Sequence, residues 1–483
     1  MRSTRRHLLS LVVSSLLLPV AASAATGPST STTPYLKPLD PSVEFTSILS
    51  VGDSARKMHQ GNETYRMVGT PDGLGAFDNG DGTFTLLVNH EFTEDLGVTR
   101  ANGGKGAFVS KWQIRKGDLK VFSGEDLMDT VNLWNGSDYV ATPGVVFSRF
   151  CSADLPKVSA LYNRATGKGF GEGRIFFNGE EISNGRAMAH IASGRQHGTS
   201  YELPRFGRNA WENLLASPYE QDKTVVAADN DGALNASKVF IYVGEKQTQG
   251  SPIDQAGLNN GQAFQVSVDG YTNESGAHPI PNGYTGNFSL VTSGGTGLNR
   301  VEDGAWDTVN PNRYYFVTTA SFTTNSRLWR LTFNDIRNPQ AGGKIEVLVD
   351  GNVWGVKMMD NMTIDDAGDV YLQEDVGNNP YLGRVVKYHA GSGVVSVLAQ
   401  HDETRFISGA ANDIDGSGNQ QSDEESSGII DVSSLFTGVA GYDTDRYRYF
   451  LLDVQAHYTA VNGVPLDPEL VEGGQLLMMK VAR

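Results

Sequence analysis

The chain of 483 residues contains one cysteine, Cys151. A lone thiol closes no disulfide within the chain, so it is left as buried filler, an intermolecular bridge or a metal ligand. Basic residues are also short, with 39 Lys and Arg against 55 Asp and Glu and a formal net charge of −16. A surface of that sign repels nucleic-acid phosphates and anionic lipid, which argues against both as partners. It leaves small phosphorylated substrates open, because carboxylates that collect divalent or trivalent cations become locally positive.

Long apolar runs are missing after the first two dozen residues. The one at the start, Leu8 to Ala22, follows Arg5 and Arg6 and ends at Ala22-Ser23-Ala24, the small-x-small pattern that a signal peptidase reads. It is too short for a membrane anchor, so residues 1–24 are expected to be a signal peptide, with no membrane span after cleavage. Thr4-Arg5-Arg6-His7-Leu8-Leu9 resembles a twin-arginine motif, which implies the twin-arginine export machinery and a periplasmic or secreted bacterial protein. The usual catalytic signatures are absent as well. There is no G-x-S-x-G elbow, Walker-A loop, dinucleotide fingerprint or H-E-x-x-H zinc helix.

Long amphipathic helical patterns are missing too, whereas glycine is abundant at 56 residues, with Asn-Gly, Asp-Gly and Gly-Asn pairs throughout. Such pairs punctuate many short strands. A β-rich run ending in polar or acidic residues returns six times: Thr83 to Glu91, Gly173 to Glu181, Ser237 to Glu245, Asn312 to Ala320, Gly368 to Asp375 and Asp445 to Gln455. Glu302 to Asp307 and Asp360 to Asp365 form a shared prelude to two of these runs, and Asp72 to Asp78 is a looser version. Repeats of this kind predict an all-β fold, a six-bladed β-propeller with long inserted loops. The Thr-, Ser- and Pro-rich stretch 25–45 reads as a flexible mature N-terminus, and 46–483 as one propeller domain.

Blades pack radially, so equivalent strand ends meet near the central channel. Acids at those ends would form a ring of mutually repelling carboxylates that calls for cations between them. A separate calcium loop is read at Asp413, Asp415 and Ser417, with Glu424 at the twelfth position, though no helical pattern flanks it. Arg300 stands two residues before Glu302; on a strand the two share a face, and a guanidinium grips phosphoryl oxygens in pairs. His90 and His197 are further candidates to touch phosphate or support the ligands.

Several short motifs occur in one order between about residues 70 and 460. They are Asn89-His90-Glu91, Phe150-Cys151, Glu180-Glu181, His197-Gly198 and Phe206-Gly207-Arg208 with Trp211-Glu212. Asn299 to Gly304, Asp360-Asn361, Glu425 to Gly428 and Leu452 to His457 complete the set. This ordered set resembles the PhoX family of secreted alkaline phosphatases that depend on calcium and iron. The chain departs from that family in lacking its T-P-W-G turn after the cysteine and in a longer gap from Cys151 to Glu181. The resemblance implies that Cys151, Glu212, Glu302 and Asp360 hold Ca2+ and Fe3+, with Glu91, Glu181 and Glu425 beside them. It also implies a phosphoric monoester hydrolase in which Arg300, Glu302 and Glu212 are catalytic and Arg300 binds substrate. A soft thiolate suits a transition metal and is a poor calcium ligand. Propellers host many functions, so two other readings stand beside this one: another calcium-dependent hydrolase of lactonase or phytase type, and a non-catalytic calcium-binding secreted propeller.

Overall fold

The computed structural model describes residues 24–406 and 424–483, apart from the single positions 378, 380 and 462. The short β-branched and aromatic runs form antiparallel meanders, each with one edge strand at the centre of the molecule. The first blade is built from Pro71–Asp78, Thr83–His90, Phe108–Arg115 and Val121–Asp126, widened by Ser54–Lys57 and Thr64–Arg66. In the second, Ile175–Gly179, Ala187–Ile191, Thr199–Glu202, Thr130–Trp134 and Tyr139–Ala141 follow in that order. Its innermost segment is residues 150–154, held by the bridges Phe150 to Glu180 and Asp154 to Phe177.

Blades three and four are Trp211–Ala216 through Gln262–Val268 and Val301–Trp306 through Gly343–Asp350. The strand Thr285–Val291 pairs with the outer edges of both and joins them into one nine-stranded sheet. Blade five runs from Met359–Ile364 to Val394–His401, with Leu36–Pro38 added outside. Blade six combines Glu425–Asp431, Tyr447–Ala456 and Gly473–Ala482 with Val43–Ser50 from the other end of the chain. The chain thus forms the six-bladed propeller expected from its repeats.

The apolar faces of neighbouring blades make six separate cores, one at each boundary. Blades three and four, for example, meet through Ile241, Phe316 and Trp329. The Phe316 and Trp329 rings are parallel within 2° at 5.9 Å, an arrangement that adds about 0.5–1.5 kcal/mol beyond burial. These cores fix each inner strand radially and thereby place its first residues around the channel mouth.

The structure departs from two sequence expectations. Residues 25–45 are built into the propeller: Ala24–Thr26 pairs in parallel with residues 45–47, and Leu36–Pro38 pairs with residues 399–401. Tyr35 and Leu36 are the reason, since both are buried in the core between blades five and six. The Tyr35 amide also donates to Gln475 Oε1 at 2.7 Å. The six runs read as repeats are not all equivalent either: five are second strands, whereas in blade three Ser237 to Glu245 is the third. The second is Lys223–Asn230, whose small alanines fit between covered faces where other blades use aromatics.

Short helices such as Val158–Leu161 only decorate the loops, and among the described residues no helix is long and apolar enough to cross a membrane. The signal-peptide reading falls on residues outside the described ones, save Ala24, as does the calcium loop at Asp413, Asp415 and Ser417. Glu424 is described and buried.

Candidate metal centre

Every inner strand begins at the same mouth of the channel, and in blades one to five the ladder to its second strand contains one extra residue there. In blade one Pro71 opposes His90 and Leu74 opposes Val88, so Asp72 lies in the bulge. The same irregularity holds Glu212 in blade three, Glu302 in blade four and Asp360 in blade five. In blade two three residues, 151 to 153, lie between the bridges at Phe150 and Asp154 while the partner strand has two, which places Cys151 in the same position. A bulge re-aims side chains, so successive residues serve different ends. Glu302 joins the mouth while Asp303 faces inward, accepting from Asn213 Nδ2 at 2.6 Å and the Met362 amide at 3.0 Å. Asn361, next to Asp360, donates to Asp72 Oδ1 at 3.1 Å and Ser152 Oγ at 2.9 Å.

The turn into four of the six inner strands is tight. Thr70, Arg149, Arg300 and Met358 all have left-handed backbone, with φ of 42°, 50°, 58° and 42°, and each precedes its bulged ligand by two residues. A non-glycine residue there costs on the order of 1–2 kcal/mol, which the packed blades on either side must hold in place. Arg300 and Glu302 do point together as expected, but through this turn rather than through strand alternation.

The second strands end at the same mouth and supply an outer set: Glu91 after Thr83–His90, Glu181 beyond Ile175–Gly179, Asp231 after Lys223–Asn230 and Asp375 after Val370–Glu374. Three groups of ligand atoms each lie within 4.8 Å: Asp72, Glu91 and Cys151; Cys151, Glu181 and Glu212; and Glu212, Glu302 and Asp360. Cys151 links the first two groups and Glu212 the last two, so the clusters are continuous across the mouth. Cys151 Sγ lies 3.0 Å from Glu181 Oε2. Ser152 donates to Glu212 Oε1 from both Oγ at 2.5 Å and its amide at 3.1 Å, and Gln455 Nε2 donates to Glu91 Oε2 at 2.9 Å. Glu425 accepts from Ser427 and stands close enough to Asp375, Asp72 and Glu91 to feel their charge.

Burial, and then mutual repulsion, pushes the carboxyls of Asp72, Glu212, Glu302, Asp360 and Glu425 well above the usual range. Burial lifts Glu181 to about 7 against the pull of Arg149. The Cys151 thiol is raised by burial and then by Glu181, Glu212 and Glu91. These six raised acids and the thiol cannot all ionise together on their own. Asp231 Oδ1 is buried with no hydrogen-bond partner, and Glu302 Oε1 meets Arg300 Nη2 at 2.9 Å outside hydrogen-bond geometry. Many hard oxygens, orphaned acceptors and one sulfur make a donor set that fits a group of cations.

Two arginines close the set. Arg300 donates to Asp231 Oδ2 from Nη2 at 2.9 Å and Nε at 3.2 Å. Arg149 bridges Glu91, 2.8 Å from Nη2, and Glu181, 2.8 Å from Nε. Behind Cys151 runs a buried relay: Asn89 Nδ2 donates to the Cys151 carbonyl at 2.6 Å, and Asn178 Nδ2 to Asn89 Oδ1 at 2.9 Å. His190 Nε2 then donates to Asn178 Oδ1 at 2.8 Å, while Nδ1 accepts from Ser200. Below the mouth the channel opens on the other side into a cavity of about 980 Å³, bordered by Ser152, Asp303 and Asn361 at its inner end.

The structure therefore brings Glu91, Cys151, Glu181, Glu212, Arg300, Glu302, Asp360 and Glu425 to one mouth. His90 is elsewhere employed. Its Nδ1 donates to the Gly69 carbonyl at 2.9 Å, its Nε2 accepts from Ser110, and burial holds it at about 3. His197 lies in the hairpin between the third and fourth strands of blade two, at the opposite face. Asp72, Asp231, Asp375 and Arg149 are additions to the sequence reading. Asp231 would have been found by treating Lys223–Asn230, an apolar run ending in Asp229-Asn230-Asp231, as the repeat of blade three.

No family model and no curated protein sequence matches the chain. A structure of Pseudomonas fluorescens PhoX in complex with vanadate, a transition state analogue, superimposes with a TM-score of 0.60 at 10% identity. The match covers 94% of this chain and 97% of that one, so the fold is that of PhoX throughout. The NanB sialidase of Streptococcus pneumoniae, in complex with 2-[(3-chlorobenzyl)ammonio]ethanesulfonate, gives a TM-score of 0.38 at 7% identity. It covers 90% of this chain and 70% of that one, and at such a TM-score no argument attaches to it.

Proposed function

We propose that this chain is an exported metal-dependent phosphatase that hydrolyses phosphate monoesters at the acidic mouth of its propeller. The observation that carries the reading is the convergence of Glu91, Cys151, Glu181, Glu212, Glu302 and Asp360 from five blades, with Arg300 against the same carboxylates. The PhoX fold supports it, because that protein binds vanadate as a transition state analogue. Vanadate resembles a phosphoryl group in flight.

Calcium would sit among the carboxylate oxygens of Asp72, Glu91, Glu302, Asp360 and Glu425. Iron would take Cys151 with Glu181 and Glu212. Bound cations would supply Lewis-acid polarisation of the phosphoryl oxygens and activation of water. The protein's part is positioning. Ser152 locks Glu212 through two donors, and Asn361 ties Asp72 to Ser152, so ligands from four blades keep one spacing. Arg300, side chain 30% exposed, can turn N–H groups toward phosphoryl oxygens as negative charge spreads over them. The Asn89 relay fixes the Cys151 loop from behind. No side-chain nucleophile is needed, in keeping with the missing serine elbow.

The test is metal analysis and p-nitrophenyl phosphate hydrolysis by protein purified from the exported fraction. Iron with calcium, together with phosphate release, is expected. Calcium alone without release would make the chain a structural calcium propeller.

A further inference from the structure

We propose that Arg149 is a second substrate-binding cation, which grips the phosphoryl group alongside Arg300 and biases the site toward dianionic monoesters over monoanionic diesters. The inference rests on the phosphatase reading and deepens it. Arg149 and Arg300 occupy the same place in two different blades. Each has left-handed backbone, each precedes a bulged ligand by two residues, in Arg149-Phe150-Cys151 and Arg300-Val301-Glu302, and each bridges two carboxylates. Blades one and five make the same turn with Thr70 and Met358, so the turn itself does not demand arginine.

Exposure then says which way the charge faces. The Arg149 side chain is 42% exposed, while its partners Glu91 and Glu181 are 11% and 10%. Arg300, 30% exposed above Asp231 and Glu302 at 6% and 2%, shows the same gradient. Both guanidiniums cover the carboxylates on the solvent side, where an anion must pass. Arg149 uses Nε and Nη2 on its acids and keeps Nη1 without a hydrogen-bond partner among the described residues. A monoester dianion presents three unesterified oxygens, enough for two guanidiniums and the cations together; a diester presents two.

The experiment is calorimetric binding of inorganic phosphate to metal-loaded wild type, Arg149→Met and Arg149→Lys, with metal content measured on the same samples. Metal content unchanged in Arg149→Met, phosphate affinity lower by about tenfold or more and partial recovery in Arg149→Lys are expected. With p-nitrophenyl phosphate, KM should rise more than kcat falls, and the ratio of monoester to bis(p-nitrophenyl) phosphate turnover should drop. Phosphate binding as tight as wild type, or loss of metal from Arg149→Met, overturns the proposal and leaves Arg149 as a brace for Glu91 and Glu181. Should wild type bind phosphate through Arg149 yet release none from esters, the hydrolase reading fails while the binding role stands.

Discussion

Arg300 and Asp231 are joined across a blade boundary: both Nε and Nη2 of the arginine in blade four donate to Oδ2 of the aspartate that ends the second strand of blade three. The same Nη2 lies 2.9 Å from Glu302 Oε1. The cation is therefore seated on two acids of the mouth. Those acids and burial shape its charge in opposite senses: Glu302 first raises its affinity for the proton, burial opposes this, and Asp231 adds to the rise, so it stays charged at any working pH.

Arg300→Ala should lower phosphate-ester turnover by about a hundredfold, the scale of losing a well-placed donor to the developing charge. The variant should keep the circular dichroism spectrum of the parent, since the propeller cores do not include this side chain. Undiminished turnover would remove Arg300 from the reaction.

Cys151→Ser should retain calcium and lose iron, because serine is a hard, weak donor in place of a thiolate. Inductively coupled plasma analysis of the two proteins checks this directly. Equal iron in both would return Cys151 to the status of a small buried hydrophobe.

Asn89→Ala removes the donor to the Cys151 carbonyl and the acceptor of Asn178 Nδ2, both in a fully buried relay. Leaving such groups unpaired costs about 1–3 kcal/mol. The midpoint of urea unfolding should fall accordingly, and an unmoved midpoint would mean that the loop is held by other contacts.

Lys246 gives a pH signature remote from the mouth. Burial lowers it from 10.5 to about 7, although Asp222 and Glu220 pull the other way, and its Nζ donates to the Lys223 carbonyl at 2.6 Å. The unfolded chain holds this proton to higher pH than the folded one, so folding stability should rise with pH between about 7 and 10.5. One proton contributes at most about 1.4 kcal/mol per pH unit. Lys246→Met should flatten thermal stability across that window, and an unchanged slope would assign it to other groups.

The mouth-facing ends were readable because an apolar β-run that stops at Glu91 or Glu181 is a local pattern in sequence. The prelude of an acid before the turn likewise exposed Glu302 and Asp360. Other parts were hidden for physical reasons. Asp231 follows an alanine-rich strand that covered faces permit but propensity does not advertise. Arg149 is one arginine among many until its left-handed backbone aligns it with Arg300. The bulges arise from pairing between strands, which no single segment encodes. The stretch 25–45 looked loose by composition, yet Tyr35 and Leu36 pin it.

Because Val43–Ser50 is clasped by Gly473–Ala482 within one blade, the ring closes only when two strands far apart in the sequence have paired. Without Gly473–Ala482 the blades can stack but nothing ties the sixth to the strand Val43–Ser50. The carboxylates that face one another across the mouth, drawn from blade one to blade five, keep their spacing only once that clasp has formed.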